Sequence, residues 1–320
     1  MIEVLYLGRV DYAEGLRLQA EMGALVTAGR LRNVLLLLEH PPVLTLGRNG
    51  NRANVLASDE LLAARGVALH LINRGGDVTY HGPGQLVGYP VFDLRSLRGP
   101  SGGRMGPVDF VRGMEEALIR VCLHYGVRAG RVAGLTGVWC GGQGSGTEGR
   151  GTEGLGTEAA GMGPLSLNGE PGGLVSGHDF SHAKSAATTN SALAAAERKI
   201  GAIGIHVAKG ITSHGFAFNL TTDLRDFALI VPCGIADHAV TSLEREMASA
   251  AGVPSLEAVA HEASRQFGCV FDQQVLAVDS LAALRDHAQP AREFPAQDTP
   301  LQFPAEVERL HGASDTPVRA

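Results

Sequence analysis

Short apolar runs alternate with amphipathic stretches along most of the chain, and this order predicts strands and helices in turn. Strand patterns cover residues 2–7, 33–39, 43–46, 67–72, 85–92, 132–139, 200–207, 216–220 and, briefly, 269–271. Helical patterns cover residues 11–28, 58–65, 107–126, 255–267 and 274–284. We therefore expect an α/β (α+β) fold in which helices flank a mixed β-sheet.

Two segments lack this pattern and divide the chain. Residues 141–196 are rich in Gly, Thr, Glu and Ala and repeat a Gly-Thr-Glu triplet, and residues 285–320 are rich in proline. Neither segment can bury enough apolar area to offset the entropy of ordering its backbone, roughly 1–2 kcal/mol per residue. We expect one domain over residues 1–284, interrupted by a flexible insertion at 141–196 and followed by a disordered tail at 285–320.

Composition narrows the classes of function. The 320 residues are 44% apolar, which allows a sizeable core, and a net charge of −6 argues against a strongly basic nucleic-acid binder. The longest aliphatic run, residues 34–38, is far shorter than the roughly 20 residues of a membrane helix, and the first residues lack the layout of a signal peptide. We expect a cytoplasmic protein that binds neither nucleic acid nor a membrane.

The cysteines form no metal-binding pattern, because Cys122, Cys140, Cys233 and Cys269 are widely spread without a C-x-x-C pair. The pattern predicts free thiols, with Cys122 on the apolar face of a helix and Cys269 packed in a strand. Cys140 is undecided. Cys233 lies between a proline and a glycine, which suits an exposed nucleophile, although a lone cysteine is more often a small buried apolar residue.

Lysine is rare, since only Lys184, Lys199 and Lys209 occur among the 27 basic Lys and Arg residues. A lysine that lies beside other candidate site residues is therefore a stronger indication of a functional role than it would be in a lysine-rich chain. Lys199 directly precedes a predicted strand. It is either a solvated residue beside that strand or part of a site.

Residues 73–85 contain the densest group of residues that could bind a ligand. Four glycines there allow backbone N–H groups to approach a ligand closely, while Arg74 and His81 supply hydrogen bonds. The segment is either a loop that cradles a ligand or a glycine-rich hairpin with incidental polar residues. It matches neither the G-x-x-x-x-G-K-[ST] phosphate loop nor the G-x-G-x-x-G dinucleotide fingerprint.

Several motifs follow one another in a specific order. They are Arg74-Gly75-Gly76 with Thr79-Tyr80-His81, Gly84-Gln85 and Tyr89-Pro90; upstream, His40-Pro41-Pro42-Val43-Leu44-Thr45-Leu46-Gly47; downstream, Lys199 with Gly201-Ala202-Ile203-Gly204, His214-Gly215-Phe216-Ala217-Phe218-Asn219 and Pro232-Cys233-Gly234. Over roughly residues 1–140 and 197–270 the chain resembles the octanoyltransferases (lipoyl/octanoyl-acyl-carrier-protein:protein N-octanoyltransferases). More broadly, it is similar to the catalytic domains of biotin and lipoate protein ligases.

This resemblance implies an acyltransferase that acts early in lipoate biosynthesis. Such an enzyme moves an octanoyl or lipoyl group from acyl carrier protein to a lysine of a lipoyl domain, on the E2 subunits of 2-oxoacid dehydrogenases or on the glycine-cleavage H protein. By the same resemblance, Cys233 is the nucleophile that becomes an acyl-thioester and Lys199 is its activating partner, with no cofactor and no metal. The substrate-binding residues it implies are Arg74, Gly75, Gly76, Asp77, Val78, Thr79, Tyr80, His81, Ala202, Ile203, Gly204, Gly215, Phe216 and Ala217.

Two other functions stay open at this point. An ATP-dependent lipoate or biotin ligase shares a related catalytic domain but holds its acyl-adenylate without a covalent bond to the enzyme, so it does not need Cys233. A non-catalytic protein that only binds lipoyl domains would need neither Cys233 nor Lys199.

Overall fold

The structure is a computed structural model that describes residues 1–141, 197–232, 238–247 and 252–288. Twelve strands occur in these ranges. They are β1 (Ile2–Arg9), β2 (Asn33–Glu39), β3 (Val43–Leu46), β4 (Ala68–Leu71), β5 (Val78–His81), β6 (Gln85–Val91), β7 (Ala129–Val132), β8 (Leu135–Cys140), β9 (Arg198–Ala208), β10 (Ile211–Asn219), β11 (Ala239–Val240) and β12 (Val275–Ala277).

Nine of these strands form one mixed sheet, and the other three form a small sheet. The large sheet has the order β12-β1-β2-β6-β10-β9-β8-β7, and β11 pairs beside β9. The pairs of β1 with β2, β1 with β12 and β9 with β11 are parallel, and the others are antiparallel. The small sheet has the order β4-β3-β5. The expected mixed α/β architecture is confirmed.

Helices cover both faces of the large sheet. The described helices are α1 (Tyr12–Thr27), α2 (Asp59–Ala64), α3 (Pro107–His124), α4 (Leu243–Glu246), α5 (Leu256–Val270) and α6 (Leu281–His287). Leu35 and Leu37 of β2 point into the core beneath α3 and α5, whereas Leu36 and Leu38 point into the core beneath α1. This two-sided burial explains why β2 is a continuous apolar run rather than an alternating one.

A third core joins the small sheet to the neighbouring loops. Leu44 and Leu46 of β3 pack with Val78 and Tyr80 of β5. Phe227, in a 3₁₀ helix at Leu224–Leu229, closes this core and meets the Tyr80 ring edge-on. The small sheet is thereby held as a second layer that carries the glycine-rich segment.

Helix starts follow the capping signals of the sequence. The side chain of Asp11 accepts a hydrogen bond from the backbone N–H of Ala13, and that of Ser58 accepts one from Leu61. Pro107 occupies the first turn of α3, where its missing N–H costs nothing. No helix in the described ranges is long and apolar enough to cross a membrane.

Four local predictions were wrong. Residues 132–139 are not one strand but parts of the β7–β8 hairpin, which turns at Gly134 with φ +80°. Residues 78–81 of the predicted loop form β5, because they pair with β3. Residues 269 and 270 continue α5 rather than forming an extended segment. Residues 274–284 contain β12 and only the start of α6, which Ser280 caps.

The predicted insertion and tail are for the most part outside the described residues. Of the insertion at 141–196 only residue 141 is described, and of the tail at 285–320 only residues 285–288. Those tail residues continue α6 to His287, so the helix extends past the predicted boundary at 285.

Candidate functional site

A cavity lies where the glycine-rich segment faces β9 and β10. Its walls enclose about 490 Å³ of space between atoms, part of which is open to solvent. The first motif contributes Arg74, Gly75, Gly76, Thr79 and His81 to its wall. Strands β9 and β10 contribute residues 202–204 and 215–217. The structure thus brings three separate predicted segments to one cavity.

Close backbone contact holds the loop against β9. The N–H of Gly75 donates to the carbonyl oxygen of Ile205 at 3.0 Å. A Cβ at Gly204 would lie 2.7 Å from the carbonyl oxygen of Gly75, closer than real contacts allow, and Gly76 has φ +88°. Glycine at 204 and 76 therefore lets this wall form.

Arg74 organises the loop from inside. It is 8% exposed, and its Nη2 donates to the backbone oxygen and the hydroxyl of Thr45 at 2.8 and 2.9 Å. Its Nη1 donates to the carbonyl oxygen of Gly75 at 3.0 Å. The guanidinium thus ties the loop to β3 and places a positive charge in the cavity wall.

His81 is held in one neutral form by a buried hydrogen-bond chain. Gln85 donates through Nε2 to the carbonyl oxygen of Tyr80 and to Oδ1 of Asn219, so its Oε1 is left to accept from His81 Nδ1 at 2.8 Å. Burial, followed by the neighbouring His40, lowers the pKa of His81 to about 3. With the proton on Nδ1, Nε2 of His81 is a hydrogen-bond acceptor.

The same chain leads to the strand that carries Lys199. Asn219 donates through Nδ2 to the carbonyl oxygen of Thr241 at 2.9 Å, and the N–H of Thr241 donates to the carbonyl oxygen of Lys199 at 2.9 Å. His81 and Lys199 are therefore connected through three residues of a buried network, Gln85, Asn219 and Thr241.

Sequence reasoning gave no role to three further residues around the cavity. Tyr12 and Tyr89 line it, and the hydroxyl of Tyr89 donates to Nε2 of His40 at 2.7 Å, whose Nδ1 donates to the carbonyl oxygen of Val10. The ring of Tyr12 stacks on that of His81 at 6.0 Å, and burial raises the pKa of Tyr12 to about 12. Tyr12 comes from α1, a helix that carries no motif, so no sequence signal linked it to the loop.

His214 also belongs to this cavity. It adopts φ +58°, a left-handed conformation uncommon for a residue with a side chain. Gln19 accepts from its backbone N–H at 2.7 Å, and Asn73 accepts from its Nε2 at 2.6 Å. Burial, then the nearby Arg74 charge, lowers the pKa of His214 to about 4, so it is neutral near pH 7.

Val78 and Tyr80 of the first motif face away from the cavity, since side chains alternate along β5. Asp77 precedes β5 and is not among the residues that line the cavity. Val78 and Tyr80 are buried in the core of the small sheet, and the Tyr80 hydroxyl donates to Asp226 at 2.7 Å. Asp77 accepts from the backbone N–H of Asn51 at 2.9 Å and from the side chain of Asn54. These residues shape the loop from behind, whereas Thr79 and His81 face the ligand space.

Lys199 lines a second, smaller cavity of about 290 Å³. The two cavities share Thr79, Ala202 and Ala217, so they adjoin along these residues. Lys199 is 7% exposed, and Pro232 forms part of the same wall. The lysine is therefore a buried group beside the main cavity rather than a solvated residue flanking a strand.

Cys233 lies outside the described residues, but the other three cysteines do not. Cys122 and Cys140 are buried; burial strongly raises the pKa of Cys122 and raises that of Cys140 to about 12. Cys269 is exposed on α5, so its predicted packing in a strand was wrong. Within the described ranges, no group of three or more His, Cys, Asp or Glu side chains could hold a metal ion.

Comparison with known proteins defines the class. A sequence model described as the lipoyl protein ligase A/B catalytic domain matches residues 11–268. The chain therefore belongs to the lipoyl protein ligase A/B catalytic domain family.

Its relatives along most of its length are octanoyltransferases, which are acyltransferases. The chain is 51% identical over 282 residues to an octanoyltransferase of Acidobacterium capsulatum, covering 88% of this chain and 94% of the relative. It is 42% identical over 311 residues to one of Koribacter versatilis, covering 97% of each chain. The expected resemblance and enzyme class are confirmed.

Solved structures agree on the fold. A lipoate-protein ligase A bound with ATP matches with a TM-score of 0.56 at 13% identity, covering 90% of this chain and 93% of that one. A bipartite lipoate protein ligase of Thermoplasma acidophilum matches with a TM-score of 0.55 at 14% identity, covering 90% and 91%. At such identities the likeness concerns the fold alone.

Proposed function

We propose that this protein transfers an octanoyl or lipoyl group from acyl carrier protein to a lysine of a lipoyl domain, through an acyl-thioester on Cys233. One observation carries the proposal: Lys199 is buried in a cavity whose wall includes Pro232. Pro232 is bonded to Cys233, and neighbouring Cα atoms lie about 3.8 Å apart. The cavity of Lys199 also adjoins the larger cavity, which would take the acyl chain.

In the first half-reaction, the Cys233 thiolate attacks the carbonyl carbon of the carrier's thioester. A new C–S bond forms to Cys233, the old C–S bond breaks, and the carrier's thiol leaves with a proton. A free cysteine has a pKa of about 8.5, so most of it is protonated at pH 7, and a nearby ammonium group favours the thiolate. Lys199 would supply that positive charge.

In the second half-reaction, the amine of the target lysine attacks the thioester carbon. An amide bond forms, the C–S bond to Cys233 breaks, and the amine loses a proton. Lys199 in its neutral form would accept this proton and return it to the Cys233 sulfur. The amide is more stable than the thioester, so no nucleotide is required.

The acyl chain would lie in the 490 Å³ cavity. Its walls combine Phe216 and Ile203 with glycines at Gly75, Gly204 and Gly215, which allow close approach of the chain. Each buried methylene contributes about 0.8 kcal/mol, so chain length affects binding. Arg74, Thr79 and His81 would border the same space at the polar side of the substrate.

The proposed partners follow from this reaction. Acyl carrier protein would be the donor, and lipoyl domains of 2-oxoacid dehydrogenase E2 subunits and of the glycine-cleavage H protein would be the acceptors. The proposal needs no cofactor and no metal. A cytoplasmic location remains a prediction.

Intact mass after incubation with octanoyl-acyl carrier protein tests the nucleophile. The wild-type protein should gain one octanoyl group without ATP or magnesium, and Cys233→Ser should gain none. Cys269→Ser is the matched control, because it removes an exposed thiol away from the cavity. An adduct that persists in Cys233→Ser would refute the assignment.

The second candidate is an ATP-dependent ligase, and the shared fold with lipoate-protein ligases favours it. Lipoyl-domain modification that requires ATP and free octanoate, with no mass gain on the enzyme, would establish it. If the protein binds lipoyl domains but modifies them neither with octanoyl-acyl carrier protein nor with ATP and octanoate, it is a non-catalytic binder.

A further inference from the structure

Trp139 covers the side chain of Lys199 from the neighbouring strand. β8 and β9 are antiparallel, and Trp139 is the register partner of Lys199. The Nζ atom lies 4.7 Å from the centroid of the indole ring, inside the distance of about 6 Å at which a ring face attracts an ammonium group. The two residues are 3% and 7% exposed, so water screens this attraction little.

Within the described part of the chain, the indole donates no hydrogen bond, because its buried Nε1 has no partner there. Its ring meets the ring of His238 edge-on, with centroids 5.1 Å apart and planes at 89°. A phenyl ring would fill much of this space without burying an unpaired N–H, which is unfavourable. Packing alone therefore does not explain why residue 139 is a tryptophan. The face of an indole ring is, however, the best aromatic partner for a cation.

Other charged groups around Lys199 come from several elements. Glu115 of α3 accepts from the N–H of Gly137 at 3.0 Å, and a Cβ at Gly137 would lie 3.0 Å from Lys199 Cε. In the cavity of Lys199, β10 and β11 present Ala217, Asn219 and Val240, which carry no charge. Further ionisable groups near this part of β9 are Cys140, Glu197, Arg198, His238 and Glu246, with Cys233 one residue beyond Pro232.

We propose that Trp139 is a positioning residue for Lys199, because its ring face holds the ammonium group against β9 and favours its charged form. Trp139 touches no reacting atom in this role and acts only through Lys199. The inference rests on the proposed part of Lys199 in acyl transfer, but its physical content, the contact between ring and ammonium, can be measured without any substrate.

The composition of the chain makes the measurement direct. The protein contains three lysines and one tryptophan, so isotope-labelled lysine gives three side-chain signals in an NMR spectrum. Lys199→Arg identifies the Lys199 signal by its loss. The ring current of Trp139 should move the chemical shift of the Lys199 Cε protons upfield. The pH dependence of the same signal and its midpoint report the charge of Lys199 in the full-length protein.

The variants form a graded series at one position. Trp139→Leu removes the ring and Trp139→Phe keeps a weaker one, so the upfield displacement should shrink in Phe and vanish in Leu. The midpoint should fall in the same order, by about 0.5–1 pH unit in Leu. The alkaline limb of the kcat/KM profile for octanoyl transfer should move down by a similar amount, while its acid limb stays in place.

Val138→Ala is the control for lost packing, because Val138 is fully buried on β8 and belongs to the core beneath α3. It should lower the melting temperature without moving the Lys199 signal. If Trp139→Leu does not fold, as judged by circular dichroism, Trp139→Phe carries the comparison. An unchanged Lys199 midpoint and displacement in the folded Trp139 variants would overturn the inference. Absence of octanoyl transfer in the wild type would instead refute the proposed function.

Discussion

The N–H of Gly75 donates to the carbonyl oxygen of Ile205 at 3.0 Å, and this bond fixes the glycine-rich loop to β9 of the large sheet. The loop belongs to the small sheet, whose β5 follows it directly, so the bond joins the two layers at the cavity. Residues 130 positions apart in the sequence thereby form one wall. The cavity keeps this wall only while the junction is closed.

A methyl group at Gly204 should open the junction. In Gly204→Ala, Cβ would lie 2.7 Å from the carbonyl oxygen of Gly75, so the loop must shift. We expect kcat/KM for octanoyl transfer to fall by at least about tenfold and stability to fall by about 1–3 kcal/mol. Gly23→Ala makes the same change on α1, where the new Cβ meets no described atom within 4 Å outside the helix's own backbone, and it should leave activity unchanged. Wild-type kinetics in Gly204→Ala would contradict this role.

Removing the amide of Gln85 should break the buried network at its centre. Gln85→Leu leaves His81 Nδ1 without its acceptor and Asn219 Oδ1 without its donor. Each unpaired buried group costs about 1–3 kcal/mol, so the free energy of unfolding measured in urea should drop clearly. Gln274→Leu, the same change at an exposed residue, should have little effect. Equal stability of the two variants would mean that the network contributes nothing.

Buried neutral histidines should make the protein sensitive to acid. Burial lowers the pKa of His81 to about 3 and of His214 to about 4, below the value near 6.5 that each has when unfolded. The unfolded chain then binds more protons between these values, so the stabilisation is complete above about pH 6.5 and is lost as the pH falls towards 3–4.

Urea unfolding at pH 7, 6 and 5 measures this slope. Each histidine contributes up to about 1.4 kcal/mol per pH unit within the window. His81→Gln should reduce the slope of the unfolding free energy against pH by one such contribution. The same change at the exposed His261 should leave this slope unaltered. A slope that His81→Gln leaves unaltered would argue against a neutral His81 in the folded protein.

The sequence predicts elements well where apolar periodicity and local caps agree. β2, β3 and the start of α1 match because a continuous apolar run, a Pro-Pro break and the Asp11 cap are local signals. β5 was missed because its four residues depend on pairing with β3, and β12 because it pairs with β1, at the other end of the chain.

The candidate site, too, could be predicted from the sequence only in part. The glycine-rich motifs predicted the cavity wall correctly. Backbone segments that approach each other closely need glycine, and glycine can be recognised in the sequence. Which side of β5 faces the cavity depends on how the strand is placed in the fold, so Val78 and Tyr80 could not be separated from Thr79 and His81 by sequence alone. Asp77 is turned to Asn51 and Asn54, which are more than 20 residues away in the sequence. The contribution of Tyr12 depends on how α1 packs on the sheet, for which no short motif exists.

Glu115 should be needed to hold the backbone beside Lys199. It is fully buried on α3, accepts from the N–H of Gly137 at 3.0 Å, and pairs with Arg112 and Arg131. Glu115→Gln keeps the shape but removes the buried carboxylate that accepts from Arg112 and Arg131, while Arg131 keeps its bond to Glu116. Both arginines are partly exposed, so stability should fall by about 1.5–3 kcal/mol, and octanoyl transfer should fall with it. The adjacent Glu116→Gln removes a partly exposed partner of Arg120 and Arg131 and should cost about 1 kcal/mol or less. Thermal melts and transfer rates of the two variants, measured side by side, check this order, and equal effects would refute a special role for Glu115.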